Sequence, residues 1–293
     1  SIGLGGLGFL MGISGSWMLF TGLLGAWLSA VFLIPKAGKL SNKLKIYTFP
    51  QLFEYFYSPR VALLAGIISA IGYIGFTSSQ LLAGAKLASA TFADLNMTTA
   101  LIGMGAIAVI YTAIGGLKAV VYTDVVQWIV LLLGLILIGI PLAYNAIGGI
   151  EVIRETLPPE FLTLNNIKWY TIVNWAVTII PIWFVGMTLY QRLYASRTPK
   201  EAQKAWYIAG IFEWPIMAFM GVILGLFARV AYENGMFAYM GFEPGEMMDA
   251  EMGLPLLLRT ILPVGLMGLM IAAYFSAVMS AADSFIMAAS GHI

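Results

Sequence analysis

Two aspartates lie inside otherwise apolar runs, Asp124 in GGLKAVVYTDVVQW and Asp283 in FSAVMSAADSFIM. A carboxylate within a hydrophobic span costs about 2.5 kcal/mol or more, so it is expected to face a cavity, a partner or an ion. Both are flanked by small and hydroxyl-bearing residues, the surroundings in which a cation stripped of most of its water is held. Ser276, Ser280 and Ser284 recur every four residues and Asp283 lies three beyond Ser280, which predicts that all four project from one helical face. Hydroxyls, carboxylates and freed backbone carbonyls are the oxygens that sodium takes where a helix is locally unwound. Intramembrane serines also bond back to their own helix or tie neighbouring helices together, and spacing alone leaves both readings open.

The elements that must position these groups are membrane helices. The 293 residues are 60% hydrophobic and 10% charged, with a mean hydropathy of +0.90, and several apolar runs reach the roughly 20 residues needed to cross a bilayer. A net charge of +1 predicts no nucleic-acid partner. With no cysteine there is no thiolate or disulfide chemistry, and a single histidine, His292, argues against a histidine-centred metal site or a catalytic triad. No HExxH or GxSxG string is present, so an embedded enzyme is the weaker reading.

Hydropathy and turn residues place spans near 1–13 (a half-span), 14–35, 61–93, 98–115, 119–143, 169–190, 205–232 and 254–290, all in one transmembrane domain. The spans at 61–93 and 254–290 are long for perpendicular helices and are expected to tilt or to continue into the interface. Connecting segments divide by charge. Lys36, Lys39, Lys43, Lys45, Arg60, Lys118, Arg192, Arg197, Lys200 and Lys204 lie on one side, opposed by Glu54 and Glu201, and Asp94, Glu151, Glu155, Glu160, Glu233, Glu243, Glu246, Asp249 and Glu251 on the other, opposed by Arg154 and Lys168. The positive-inside rule makes the Lys/Arg-rich loops cytoplasmic, as expected for a multi-pass protein of the inner (plasma) membrane. Ser1 then starts mid-membrane on a segment heading outward, and the chain reads as part of a longer protein.

Local signals refine this outline. TFPQLFEYFYSPR (48–60) suits a short amphipathic helix on the cytoplasmic face, and SRTPKEAQKAW (196–206) reads as a helix start, with Thr198 as N-cap, Pro199 first and Glu201 three after the cap. Four glycines in the first eight residues allow either a broken helix or close helix packing, and Pro181 offers a second possible break. Glu213 and Lys86 are two further charges that fall inside spans.

The runs YTAIGGLKAVVYTDVVQ (111–127), YQRLYASRTPKEAQKA (190–205) and SAVMSAADS (276–284) together resemble the sodium:solute symporter family. The resemblance extends over essentially the whole chain. It implies an all-α, LeuT-like bundle of two inverted five-helix repeats that couples sodium to solute movement by alternating access. On that alignment the chain runs from the second half of core helix 1 to core helix 8, without core helices 9 and 10. The main sodium site falls on the Ala277 carbonyl and on Ser280, with Ile2 and Gly5 supplying helix 1 carbonyls. Ala281 stands where many members carry a second hydroxyl, which leaves Asp283 and Ser284 as possible replacements; the choline-transporter branch has a similar Ala-Asp-Ser. Asp124 matches the family's core helix 5 aspartate beside the sodium route.

The implied solute site lies between core helices 1, 3 and 6, where Tyr73, Phe76, Gln80, Trp175 and Trp183 are the candidates. Aromatic rings with one amide suit a small polar or zwitterionic solute, although each ring is also ordinary bundle packing. The expected partners are a small-molecule solute, sodium and the lipid bilayer. The alternative is a symporter-like sensor domain of a larger signalling protein.

Overall fold

The computed structural model describes residues 2–38, 48–92 and 95–290; within these, the side chains of 49, 111, 115–124, 191, 194 and 195 fall outside the description. Every regular element among the described residues is helical. In chain order they are α1 (Ile2–Met11), α2 (Trp17–Phe32), α3 (Phe49–Phe56), α4 (Pro59–Thr91), α5 (Met97–Leu133), α6 (Ile140–Ala146), α7 (Gly149–Thr156), α8 (Trp169–Val185), α9 (Met187–Ala195), α10 (Pro199–Ile211), α11 (Ala218–Glu233), α12 (Ala250–Ile261) and α13 (Val264–Ser290). Among the described residues six segments are long and apolar enough to cross a membrane, Pro59–Thr91, Val125–Ala146 and Val264–Ser290 being three of them. At 1.5 Å per residue the 33 residues of α4 run about 50 Å, beyond the roughly 30 Å hydrocarbon core. Its outer face carries Leu63, Leu64, Ile67, Ile68, Ile71 and Ile74, all exposed, as a lipid-facing helix requires.

Lipid is as apolar as leucine, so these helices are held by close van der Waals fit more than by a hydrophobic drive. Glycine makes the fit possible at the centre, where α1 packs on α11 and α12. A Cβ on Gly8 would meet the Val222 carbonyl oxygen at 2.1 Å, and one on Gly225 would meet that of Gly5 at 2.0 Å. The glycine-dense opening segment is thus a packing surface, and α1 is helical from Ile2 onward. It ends at Gly12, whose φ of +65° favours glycine. The following turn is clamped by a loop from across the chain: Ser14 Oγ donates to the Thr163 carbonyl at 2.8 Å and Asn166 Nδ2 to that of Met11 at 3.2 Å.

Around this centre, α2 packs on α8 and α10, while α13 packs on α4 and α5. Both local helix signals are realised. Thr48 and Gln51 form a capping box at α3, and the Thr198 side chain accepts from the Glu201 amide at the start of α10.

Three boundaries differ from the sequence expectation. The run read as one span over 254–290 is two helices, α12 and α13, because Leu262 before Pro263 is extended (φ −85°, ψ 135°); the proline ring disfavours helix at the preceding residue. The break assigned to Pro181 lies further on, at Gly186 (φ −66°, ψ 114°), and Pro181 is absorbed within α8. The backbone stays helical through Gly115–Gly116, where a turn was expected, to Leu133; glycine permits a turn without imposing one.

Candidate functional site

Helix breaks free backbone groups that must find partners inside a membrane protein. At Gly186 two tyrosines supply them: Tyr190 OH donates to the Phe184 carbonyl at 2.9 Å, and Tyr73 OH accepts from the Thr188 amide at 3.3 Å. A second interruption lies between α10 and α11, where Trp214 is extended (φ −140°, ψ 124°) inside a π-helical turn. Cavities open beside these breaks and along α13.

The first, of about 430 Å³, is lined by Ile2 and Gly3 of α1, Ser79 and Gln80 of α4, Glu251, and Tyr274, Ala277 and Ala281 of α13. A second, of about 930 Å³, reaches the same stretch of α13 through Ala277, Ser280, Ala281 and Ser284, facing Gln127 and Trp128 of α5 with Thr188 and Arg192 of α9. Residues 277–284 therefore form a wall with a cavity on either side. A third cavity, of about 1060 Å³, is walled by Gly3, Leu4, Leu7, Met18 and Leu19 with Trp128, Trp183, Phe212, Glu213 and Glu251.

The candidate sodium residues separate on this framework. Ile2 and Ala277 share the roughly 430 Å³ cavity, and Ser280 and Ser284 line its neighbour. Asp283 lies off that face: it is fully buried and accepts a hydrogen bond from Thr112 Oγ1 of α5. Of the four residues expected on one face, Ser280 and Ser284 line the cavity, whereas Asp283 is turned to Thr112. Gly5 is buried against Leu254 and Gly225 and lines none of the three cavities. Asp124 lies in the backbone of α5, and its side chain is outside the described residues.

Of the solute candidates, Gln80 lines the roughly 430 Å³ cavity and Trp183 the roughly 1060 Å³ one. Tyr73 is buried, occupied with the Gly186 break and tilted against the Phe285 ring at 5.9 Å. Phe76 packs on the same Phe285 ring at 5.3 Å, and Trp175, half-buried on α8, lines none of the three cavities.

Two charges noted only by position in the sequence turn out to matter. Lys86 Nζ bridges to Asp249 Oδ2 at 2.8 Å and to Glu251 Oε2, tying α4 to the start of α12, where Glu251 lines the roughly 430 Å³ cavity. Burial opposes ionisation of Asp249, but the hydrogen bonds from Lys86 and the Glu251 amide, with the Lys86 charge, hold its carboxyl below the ordinary value. Glu213 is set differently. Its Oε2 is buried and accepts no hydrogen bond among the described residues, and Oε1 lies 2.5 Å from where a Cβ on Gly22 would stand. The signal was available in the string IAGIFEWPIM, a lone carboxylate between two aromatics in an apolar run.

Membrane-length helices, a backbone break satisfied from neighbouring helices and cavities converging on one helix define a polytopic membrane protein of transporter type. The chain belongs to the sodium:solute symporter family, whose sequence model matches residues 1–293. It is similar to the sodium/glucose cotransporter of Vibrio parahaemolyticus, 28% identical over 291 residues, with 89% of this chain and 52% of the relative covered. The high affinity choline transporter 1 of Homo sapiens is 27% identical, over 81% of this chain and 41% of that protein. The proline transporter PutP of Bacillus subtilis is 26% identical, over 79% and 50%. Among solved structures, a Na+-coupled sialic acid symporter in a substrate-bound, outward-open state superposes with a TM-score of 0.75 at 23% identity, over 99% of this chain and 65% of that one. The fold is thus the LeuT-like helical bundle that the motifs imply. The chain spans about half the length of the curated relatives it matches.

Proposed function

We propose that the complete protein is a secondary transporter that couples sodium entry to the uptake of a small polar organic solute by alternating access. The observation that carries this reading is the α13 wall, residues 277–284, which borders two cavities, with Ser280 and Ser284 lining one and Ala277 lining both. Sodium is cargo here, and the donors fit it. A helical carbonyl keeps a second lone pair after its ladder bond, so Ala277 needs no unwinding to offer an oxygen. Ile2 faces the same cavity, in keeping with the helix 1 carbonyl assigned by resemblance. Ala281 adds no side-chain oxygen, which leaves Ser284 as the nearer substitute, since Asp283 is turned to Thr112.

Family membership and relatives named as sodium-coupled carriers support transport over the signalling-domain alternative. Glu251, which lines the roughly 430 Å³ cavity, is bridged to Lys86, and alternating access requires contacts at a cavity mouth that open and close in turn. The charge asymmetry of the loops supports a plasma-membrane protein with its Lys/Arg-rich side in the cytoplasm.

The test is uptake by the full-length protein in proteoliposomes under an imposed sodium gradient, against labelled amino acids, sugars, carboxylates and quaternary amines. Uptake of one class that collapses when potassium replaces sodium is the expected result; uptake indifferent to sodium would refute the reading.

A further inference from the structure

We propose that Glu213 and the aromatic walls of the roughly 1060 Å³ cavity form the recognition site for a solute carrying an organic ammonium group; the proposal rests on the symport reading above. A buried carboxylate without a partner is costly and takes up either a proton or a cation. Glu213 has such a geometry, with Oε2 buried and accepting no hydrogen bond among the described residues. No Lys, Arg or His is among the described residues lining the cavity, and its other carboxylate, Glu251, is already engaged by Lys86. The glycine at position 22 leaves the space in which the carboxylate rests, since a Cβ there would stand 2.5 Å from Oε1 and 2.9 Å from Oε2.

The remaining walls select among cations. Trp128, Trp183 and Phe212 surround the same space, with Trp128 and Phe212 edge to face at 5.1 Å. Aromatic faces attract an ammonium ion through the ring quadrupole, and the methyl or methylene shell of an organic ammonium fills apolar walls that a bare metal ion would leave unused. A sugar carries a hydroxyl on most of its carbons, and walls made of Leu4, Leu7, Met18, Leu19 and Ile208 offer those groups few partners. An anionic solute would meet the Glu213 charge head on.

The experiment uses the purified full-length protein at saturating sodium, titrated calorimetrically with choline and with tetramethylammonium, in the wild type, Glu213→Gln and Glu213→Asp. At least one probe should bind the wild type, Glu213→Gln should weaken it by at least about 10-fold, and Glu213→Asp should stay closer to wild type. Glu213→Gln should also melt no lower than wild type without solute, because it removes an uncompensated charge; a structural role would lower the melting temperature. Binding of neither probe, or equal binding by Glu213→Gln and wild type, overturns the proposal. Sodium-driven uptake of the bound probe is measured in parallel. Intact binding without such uptake counts against symport and leaves the recognition site standing.

Discussion

The cavities on the two sides of α1 are built from different chemistry, although Gly3 and Glu251 belong to both. The smaller is framed by α13 with Ser79, Gln80 and Glu251, and Lys86 is spent on Asp249 and Glu251. The larger is lined by aliphatic side chains, the rings of Trp128, Trp183 and Phe212, and Glu213, whose Oε2 accepts no hydrogen bond among the described residues. Neutral oxygens suit an ion that sheds its water for several weak ligands, whereas a single full charge among rings suits a bulky organic cation. The contrast teaches that a buried charge is read by its pairing: Lys86 is a strut and Glu213 is a receptor.

Removing the helix both cavities share should erase the comparison. Gly8→Val drives a side chain into the Val222 backbone and is expected to cost about 3 kcal/mol, seen as a large loss of melting temperature and folded yield in detergent. The next variant strikes one cavity alone. Gly22→Ala displaces the Glu213 carboxylate and should weaken ammonium binding by about 10-fold in calorimetry while leaving half-saturating sodium within about twofold. Lys86→Met strikes the other side, stranding Asp249 and Glu251. Because both carboxylates are more than 40% exposed, the expected loss is only about 1 kcal/mol, a shift of a few degrees in thermal unfolding. The smallest effect is on pH. The Asp249 carboxyl is held below its ordinary 3.8, so its contribution is complete above that value and is lost as pH falls through the lower folded value. Melting curves from pH 6 to pH 3 should show a small acid-side decline in the wild type that Lys86→Met lacks.

Much of this was legible in the sequence. Hydropathy found the helices, Thr198 and Thr48 marked their starts, and the three motifs led to the family that the sequence model confirms. Ile2 and Ala277 line one cavity, and Ala277, Ser280 and Ser284 line the adjoining one. What spacing could not resolve was direction and pairing. Asp283 is one residue from Ser284 yet points to another helix, because 100° of rotation separates neighbours. Tyr73 carries the composition of a binding residue but satisfies the backbone at Gly186, a break whose place depends on how α8 and α9 meet their neighbours. Lys86 and Glu213 looked alike as isolated charges in apolar runs. Only the fold brings Asp249 and Glu251 to the first and leaves the second among rings, since these partners lie far apart in sequence.

The central claim, that the α13 wall reads sodium while Glu213 reads the solute, is tested most directly by sodium-driven uptake of an ammonium solute through the full-length protein carrying Ser280→Ala or Glu213→Gln. Half-saturating sodium and solute KM at saturating sodium are fitted separately. Ser280→Ala should raise the first by about 10-fold and spare the second, and Glu213→Gln should do the reverse. If both parameters move together in both variants, the division of labour between the α13 wall and Glu213 is wrong.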